Sequence, residues 1–250
     1  MTTAPASLRS LSLWFDGLPD PLVERPPLDG STDADVVIVG AGFTGLWTAW
    51  HLRRQDPGID VLVLEQSRCG FGPSGRNGGF LNGFVDHISS IRDLYGPDGA
   101  RAVIAAGDRA VAGVAGWLEE QGVDAWYRAD GGIGVASAPY QVGDWDAQLT
   151  AARALGLEDR FTLLDRSATR ALCDSPAFEG GVFVADGGTL QPARLVRALR
   201  NACLQAGVRI HEETPIEPPT PHEASTGRLR TSAPRCSTNR WPGTSSSRSP

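Results

Sequence analysis

The chain has 250 residues, 41% of them hydrophobic and 21% charged, and a net charge of −6. That balance belongs to a soluble globular protein of one large domain or two small ones. The acidic excess argues against a nucleic-acid partner, which requires a basic face, and no run approaches the ~20 apolar residues of a membrane span. The first twelve positions hold a single Arg and no long apolar run. No secretory leader is therefore expected, and the cytoplasm is the expected compartment. Cys69, Cys173, Cys203 and Cys236 are scattered, with no CxxC or His-pair spacing. Reduced structural thiols are expected in place of a metal site or a disulfide framework.

Residues 1–33 are Pro-rich and irregular, with Leu13, Trp14 and Phe15 as an apolar anchor. Asp35 to Val39 reads as a buried parallel strand, being β-branched and free of polar breaks. Gly40 to Gly45 is a glycine-rich turn, and Thr44 to Arg54 a helix with Leu46, Ala49, Trp50 and Leu52 inward, stopped by Pro57-Gly58. Asp60 to Leu64 is a second strand, ended by Glu65. A glycine-dense loop, Gln66 to Gly83, carries the string SGRNGG. An Ala-rich helix is expected over Asp98 to Gln121. Paired strands or a hairpin are expected over Tyr127 to Ala138, around Gly131-Gly132. Further helices are expected over Gln148 to Leu155 and Ser167 to Leu172, with a short strand over Gly181 to Val184. Gln191 to Gln205 is an amphipathic helix with Leu195, Leu199 and Cys203 spaced by four and Gly207 past its end. Val208 to His211 is a last strand. From about Pro218 the chain turns to Pro, Ser, Thr and Arg, with Leu229 and Trp241 its only large apolar residues. Such a tail buries too little surface to offset chain entropy, so disorder is expected over 218–250.

Gly40-Ala41-Gly42-Phe43-Thr44-Gly45 fits GxGxxG, a pattern made specific by the strand before it, the helix after it and the acid ending the next strand. Gly40 permits the tight turn, Gly42 the approach of a pyrophosphate, and Gly45 close packing of helix on strand. The helix start, with Phe43 and Thr44, offers unpaired N–H groups and partial positive charge to phosphates. Glu65 stands where an adenosine ribose would sit; a carboxylate there accepts hydroxyl hydrogen bonds and repels a 2′-phosphate. The βαβ unit does not separate FAD from NAD. The loop Ser74-Gly75-Arg76-Asn77-Gly78-Gly79 offers free N–H groups and the Arg76 charge to a flavin's ribityl chain and ring edge, or is simply a surface turn.

The runs DADVVIVGAGFTGLWTAWHL and DVLVLEQSRCGFGPSGRNGGF resemble the D-amino-acid-oxidase-like FAD oxidoreductases, within them the γ-glutamylputrescine oxidase and aminophosphonate oxidoreductase group, whose signature includes GASGRNGG. Pro73 stands where that group has Ala, which should stiffen the loop. Gly187 to Leu195 resembles the family's G-x-x-x-P-x-x-L entry to a helix, and Thr214-Pro215-Ile216 its T-P-V, whose last residue lies on the adenine. The resemblance covers residues 12–217. It implies an α/β fold: an FAD-binding Rossmann-like domain of the glutathione-reductase type, with part of an inserted α+β substrate domain. The implied division is an N-terminal extension (1–33), the βαβ unit and flavin loop (34–95), part of the substrate domain and helices (96–185), a return to the FAD-binding domain (186–217) and a tail (218–250). FAD would be touched by Gly40, Gly42, Phe43, Thr44, Gly45, Glu65, Gln66, Ser74, Gly75, Arg76, Asn77, Gly78, Gly79 and Ile216.

The resemblance further implies oxidation of a small-molecule amine or amino acid at its C–N bond. No catalytic residue is assigned: His51, His87, His211 and His222 form no recognisable acid–base pair. A NAD-dependent dehydrogenase and an inactive nucleotide-binding fragment remain alternatives. Family members continue beyond the length seen here with another FAD-binding strand and most of the substrate sheet. One permitted GC-rich codon set for Gly243 to Pro250, read from its third base, would encode a strand-like His-Val-Val-Val-Ala-Leu-Ala. A frame change upstream of Gly243, between Gly227 and Cys236, with a non-native tail is therefore expected, a natural disordered tail being the alternative; a sheet lacking an inner strand would give poor stability and weak flavin retention.

Overall fold

Val36, Val37, Ile38 and Val39 are all β-branched, and such residues fit an extended backbone better than a helix. In the computed structural model of the protein, which describes residues 12–18, 23–217 and 229–231, they form a strand as expected. The described residues fall into two units. One runs up to Arg76 and resumes at Val196; the other is Asn77–Leu195.

The first unit opens with helix α1 (Leu13–Asp16), capped by the Ser12 hydroxyl, which accepts from the Trp14 N–H at 3.2 Å. Of the expected apolar anchor only Phe15 is fully buried; Trp14 is half-buried and Leu13 exposed. One helical turn presents a single side chain inward, which is why three adjacent apolar residues cannot all anchor. Strand β1 (Val36–Val39), helix α2 (Phe43–Gln55) and strand β2 (Val61–Leu64) follow. The two strands pair in parallel, Val36 opposite Val61 and Val39 opposite Leu64, while α2 buries Leu46, Ala49 and Trp50.

All four residues of β2 are buried, but β1 alternates, with Val37 36% and Val39 57% exposed. This corrects the expectation of a buried first strand. β2 is flanked on both sides, whereas β1 pairs only with β2 among the described residues. Alternate side chains of a strand point to opposite faces, so a single covered face leaves Val37 and Val39 in solvent.

The second unit begins with β3 (Phe80–Leu81) and helix α3 (Ile88–Glu120), broken at Gly96 (φ 70, ψ 176) directly ahead of Pro97. The expected helix from Asp98 therefore has a forerunner from Ile88. A left-handed Gly followed by Pro separates the two pieces, since Pro disfavours α backbone in the residue before it. Strand β4 (Gly132–Ala136), helix α4 (Asp146–Leu155), strand β5 (Phe161–Leu164), helix α5 (Arg166–Leu172) and strands β6 (Gly180–Val184) and β7 (Gly188–Thr189) complete it. β6 lies between β4 and β5, antiparallel to both. β3 pairs with β7, and Arg128 bridges Thr189. Tyr127 to Ala138 is thus no hairpin, because its two halves find different, distant partners. Strand β5 was not anticipated at all. Ile88, Ala100 and Ile104 of α3 meet Leu149, Ala152 and Leu155 of α4 and Val182 and Val184 of β6 in one apolar core.

Helix α6 (Pro192–Gln205) starts on Pro, whose fixed φ suits a first helical position. The Gln191 side-chain oxygen accepts from the Arg194 N–H at 2.7 Å, supplying the cap. Leu195, Leu199 and Cys203 are all buried, as their spacing predicts. Strand β8 (Arg209–His211) joins β2 in parallel. Strand β9 (Ile216–Glu217) pairs antiparallel with β10 (Arg230–Thr231). The tail expected to be without structure therefore holds a strand at 230–231. Residues 218–228 and 232–250, including Gly243 to Pro250, lie outside the described residues.

Candidate cofactor site

Chain reversal between β1 and α2 begins at Gly40, whose N–H donates to the Leu64 carbonyl at 2.8 Å and whose φ of +98 suits only Gly. A Cβ on Gly45 would lie 2.0 Å from the Gly40 carbonyl oxygen, so the helix start rests directly on the strand end. Gly42 carries a different constraint: its missing Cβ would be 2.9 Å from Ser74 Oγ. That hydroxyl accepts from the Phe43 N–H at 2.9 Å, capping α2 from the SGRNGG loop. Leu46 N–H turns back to the Gly42 carbonyl. No described residue accepts from the N–H groups of Gly42, Thr44 or Gly45, so the first turn keeps donors and partial positive charge for an anion.

Glu65, one residue past β2, is half-buried. Its Oε2 accepts from the Ala41 N–H at 2.8 Å and its Oε1 from the Ser67 N–H at 2.9 Å. Its own N–H donates to the His211 carbonyl, and its carbonyl accepts from Thr214 N–H. One residue thus fastens the glycine turn, the loop after β2 and the exit of β8. Each carboxylate oxygen has further acceptor capacity, so a ribose diol can be held without releasing the turn. Gln66 beside it is exposed, and Ile216, two residues beyond Thr214, is half-buried in β9.

Pro73 to Gly75 forms a 3-10 turn with Pro at its first position, where its fixed φ is accommodated. Arg76 is exposed; its guanidinium stands 4.8 Å over the Phe71 ring, and its Nε reaches the Gly72 carbonyl at 3.4 Å. The remaining three residues of the loop belong to the second unit. There the Asn77 side-chain oxygen accepts from Gly79 N–H at 2.8 Å, Gly79 takes φ +79, and its carbonyl accepts from Leu190 N–H at 2.8 Å.

Sequence reasoning missed a buried charged group in the first unit. Glu212 has no exposed surface and accepts from the backbone N–H groups of Cys69 and Arg25, each at 2.9 Å. Arg200 Nε stands 3.5 Å and Arg68 3.8 Å from it. Burial, with Glu212 adding, pushes the Cys69 thiol well above its ordinary range. An Arg on the Leu199–Cys203 side of an amphipathic helix was the available signal. His51 stacks on Trp47, and His211 Nδ1 meets the Pro26 carbonyl. Among the described residues no group of three His, Cys, Asp or Glu could hold a metal.

Unpaired helix-start donors beside a carboxylate at the neighbouring strand end suit the adenosine diphosphate part of a dinucleotide, and the open space beyond Gly40 leaves room for it. The chain matches the FAD dependent oxidoreductase family over residues 35–232, past the point where the tail was expected to begin. It is 33% identical over 210 residues to γ-glutamylputrescine oxidoreductase of Escherichia coli, covering 82% of this chain and 48% of that protein. Among solved structures, glycine oxidase from Geobacillus kaustophilus superposes with a TM-score of 0.59 at 22% identity, over 74% of this chain and 48% of that one. L-α-Glycerophosphate oxidase from Mycoplasma pneumoniae, solved with FAD bound, gives 0.55 at 18%, over 74% and 46%. The chain spans about half the length of the curated relatives it matches. With cofactor geometry and family match in agreement, this chain belongs to the FAD-dependent oxidoreductase family.

Proposed function

We propose that this chain is the cofactor-holding portion of a flavoenzyme that oxidises the C–N bond of a small-molecule amine or amino acid. The carrying observation is the Glu65 carboxylate, held by Ala41 N–H beside the open N–H groups that begin α2. In this reading Gly42, Thr44 and Gly45 donate to the pyrophosphate, Glu65 and Gln66 face the ribose, and Ile216 lies on the adenine. Ser74 to Gly79 serve the flavin side. Ser74 keeps Phe43 N–H occupied, which aims the other donors of the turn at the phosphates. Bound FAD supplies the two-electron oxidant for the C–H beside the amine nitrogen, and water hydrolyses the resulting imine. No catalytic residue is assigned.

The amine preference is supported by the activity named for the Escherichia coli relative. The fold alone selects neither amine nor alcohol, since a glycerophosphate oxidase shares it. No helix among the described residues is long and apolar enough to cross a membrane, and the cytoplasm is the proposed compartment. A visible spectrum of the purified chain, followed by FAD and NAD titrations, tests the reading. Flavin bands are expected, and Glu65→Gln should weaken FAD binding about 10- to 100-fold, the loss of a charge-assisted hydrogen bond. Preferential NAD binding would overturn the proposal. The half-exposed β1, which among the described residues pairs only with β2, favours a second reading, a fragment that binds FAD without turnover; bound flavin with no amine-dependent peroxide would support it.

A further inference from the structure

We infer that residues 12–15 and 23–28, ahead of β1, are a working part of the cofactor site, a strap that holds both loops lining it without touching the cofactor. The inference rests on the FAD placement proposed above. Two separate locks carry it.

The first lock acts on the turn that presents Ser74. Ser12 Oγ donates to the Gly75 carbonyl at 3.0 Å, across 63 residues of sequence. The Phe15 ring is buried directly on Gly75: a Cβ there would lie 2.4 Å from a ring carbon and 2.4 Å from the Gly70 carbonyl oxygen. Gly75 is therefore required by Phe15 as much as by any ligand. The ring is thus the wall against which the Pro73–Gly75 turn is set. Ser74 then delivers its hydroxyl to Phe43 N–H, which fixes the phosphate-facing start of α2.

The second lock acts on the loop leaving β2. Buried Glu212 joins the backbone of Arg25 to that of Cys69, and Arg200 Nη2 donates to the Val23 carbonyl at 2.6 Å. Leu28 N–H donates to Thr214 Oγ1 at 3.0 Å, and Thr214 N–H to the Glu65 carbonyl at 2.8 Å. His211 Nδ1 meets the Pro26 carbonyl at 3.0 Å. Residues 23–28 thus lie across the β8 exit and are tied through one carboxylate to the loop that begins at the ribose position. Most of these bonds end on main-chain groups. In this second lock they set loop position through the backbone of residues 23–28.

The test uses the full chain with Phe15→Ala, Ser12→Ala and Glu212→Gln, and exposed Leu13→Ala as control. FAD affinity is read by quenching of flavin fluorescence, and loop order by hydrogen exchange of residues 66–76 without ligand. Phe15→Ala and Glu212→Gln should each weaken FAD at least about tenfold and speed exchange in 66–76, Ser12→Ala about threefold. Leu13→Ala should change neither, and Phe15→Leu should recover most of the affinity. Should Phe15→Ala fail to fold, Ser12→Ala and Glu212→Gln decide. Unchanged affinity and unchanged exchange of residues 66–76 in Ser12→Ala and Glu212→Gln overturn the strap. If the parent chain takes up no FAD, the proposed function falls, while the exchange of residues 66–76 still decides the strap.

Discussion

The parallel sheet β1-β2-β8 and the antiparallel sheet β4-β6-β5 use charge in opposite ways. In the first unit carboxylates are drawn inward and spent on backbone N–H groups: Glu65 on Ala41 and Ser67, Glu212 on Cys69 and Arg25. In the second unit the α3–α4–β6 core is apolar, and Arg160 pairs with Asp108 and Asp186 in a half-exposed position. Burial raises the Asp186 carboxyl above its ordinary range, with Arg160 opposing the rise. Parallel strands end in loops that have no ladder to hold them, so side chains must order those loops. Antiparallel strands hand their backbone groups to one another. The first unit is therefore expected to be sensitive to single polar changes, and the second to changes of volume.

Removing the carboxylate in Glu212→Ala should produce the largest effect, because it leaves Arg200 charged and buried. A loss of about 3–5 kcal/mol is expected in urea unfolding followed by Trp fluorescence. A loss below about 1 kcal/mol would break the contrast, since a satisfied buried charge should not be dispensable. Ile104→Ala in the α3–α4–β6 core should cost about 2–5 kcal/mol and leave FAD affinity of the folded fraction within about twofold. A parallel fall in FAD affinity would show that volume in the second unit also governs the site. Asp165 caps α5 through the Ala168 N–H at 2.8 Å, and Asp165→Ala should cost about 1 kcal/mol with flavin binding unmoved.

The smallest effect at neutral pH concerns Cys203. Burial pushes its thiol from the ordinary 9.0 up to about 12. The raised value means that its contribution to stability is complete below pH 9 and is lost as pH rises toward 12. A Cys203→Ala variant should accordingly lose less stability between pH 9 and pH 11 than the parent, as read by thermal melts across that range. Native-state alkylation should label exposed Cys173 and spare Cys69 and Cys203; rapid labelling of Cys203 would mean that α6 is not packed as described.

Elements whose cause is local were legible. The glycine turn, α2 and β2 follow from a β-branched run, a helix start and a Pro-Gly stop within thirty or so residues, and α6 from its four-residue spacing. Partners were not. β4 resembled half of a hairpin because Gly131-Gly132 is a turn signal, yet its true partner begins at Gly180. β5 has four residues and no flanking signature, and it exists because β6 offers an open edge. Within the site, the acid at Glu65 could be placed from spacing alone. Its bond to Ala41, the Ser74 cap on Phe43 and the Glu212 group could not, since each joins residues far apart in the chain.

Sequence by itself determined that a dinucleotide-type turn lies between β1 and α2, that Glu65 ends the next strand, and that α6 buries the Leu195–Leu199–Cys203 face its periodicity marks. These are consequences of backbone sterics and of side-chain period, both of which act over a few residues. Tertiary structure alone decided that Phe15 sits on Gly75, that Glu212 is buried with Arg200, and that β1 is only half covered. Burial and pairing across long separations depend on which surfaces meet, and no residue carries that information in its own neighbourhood.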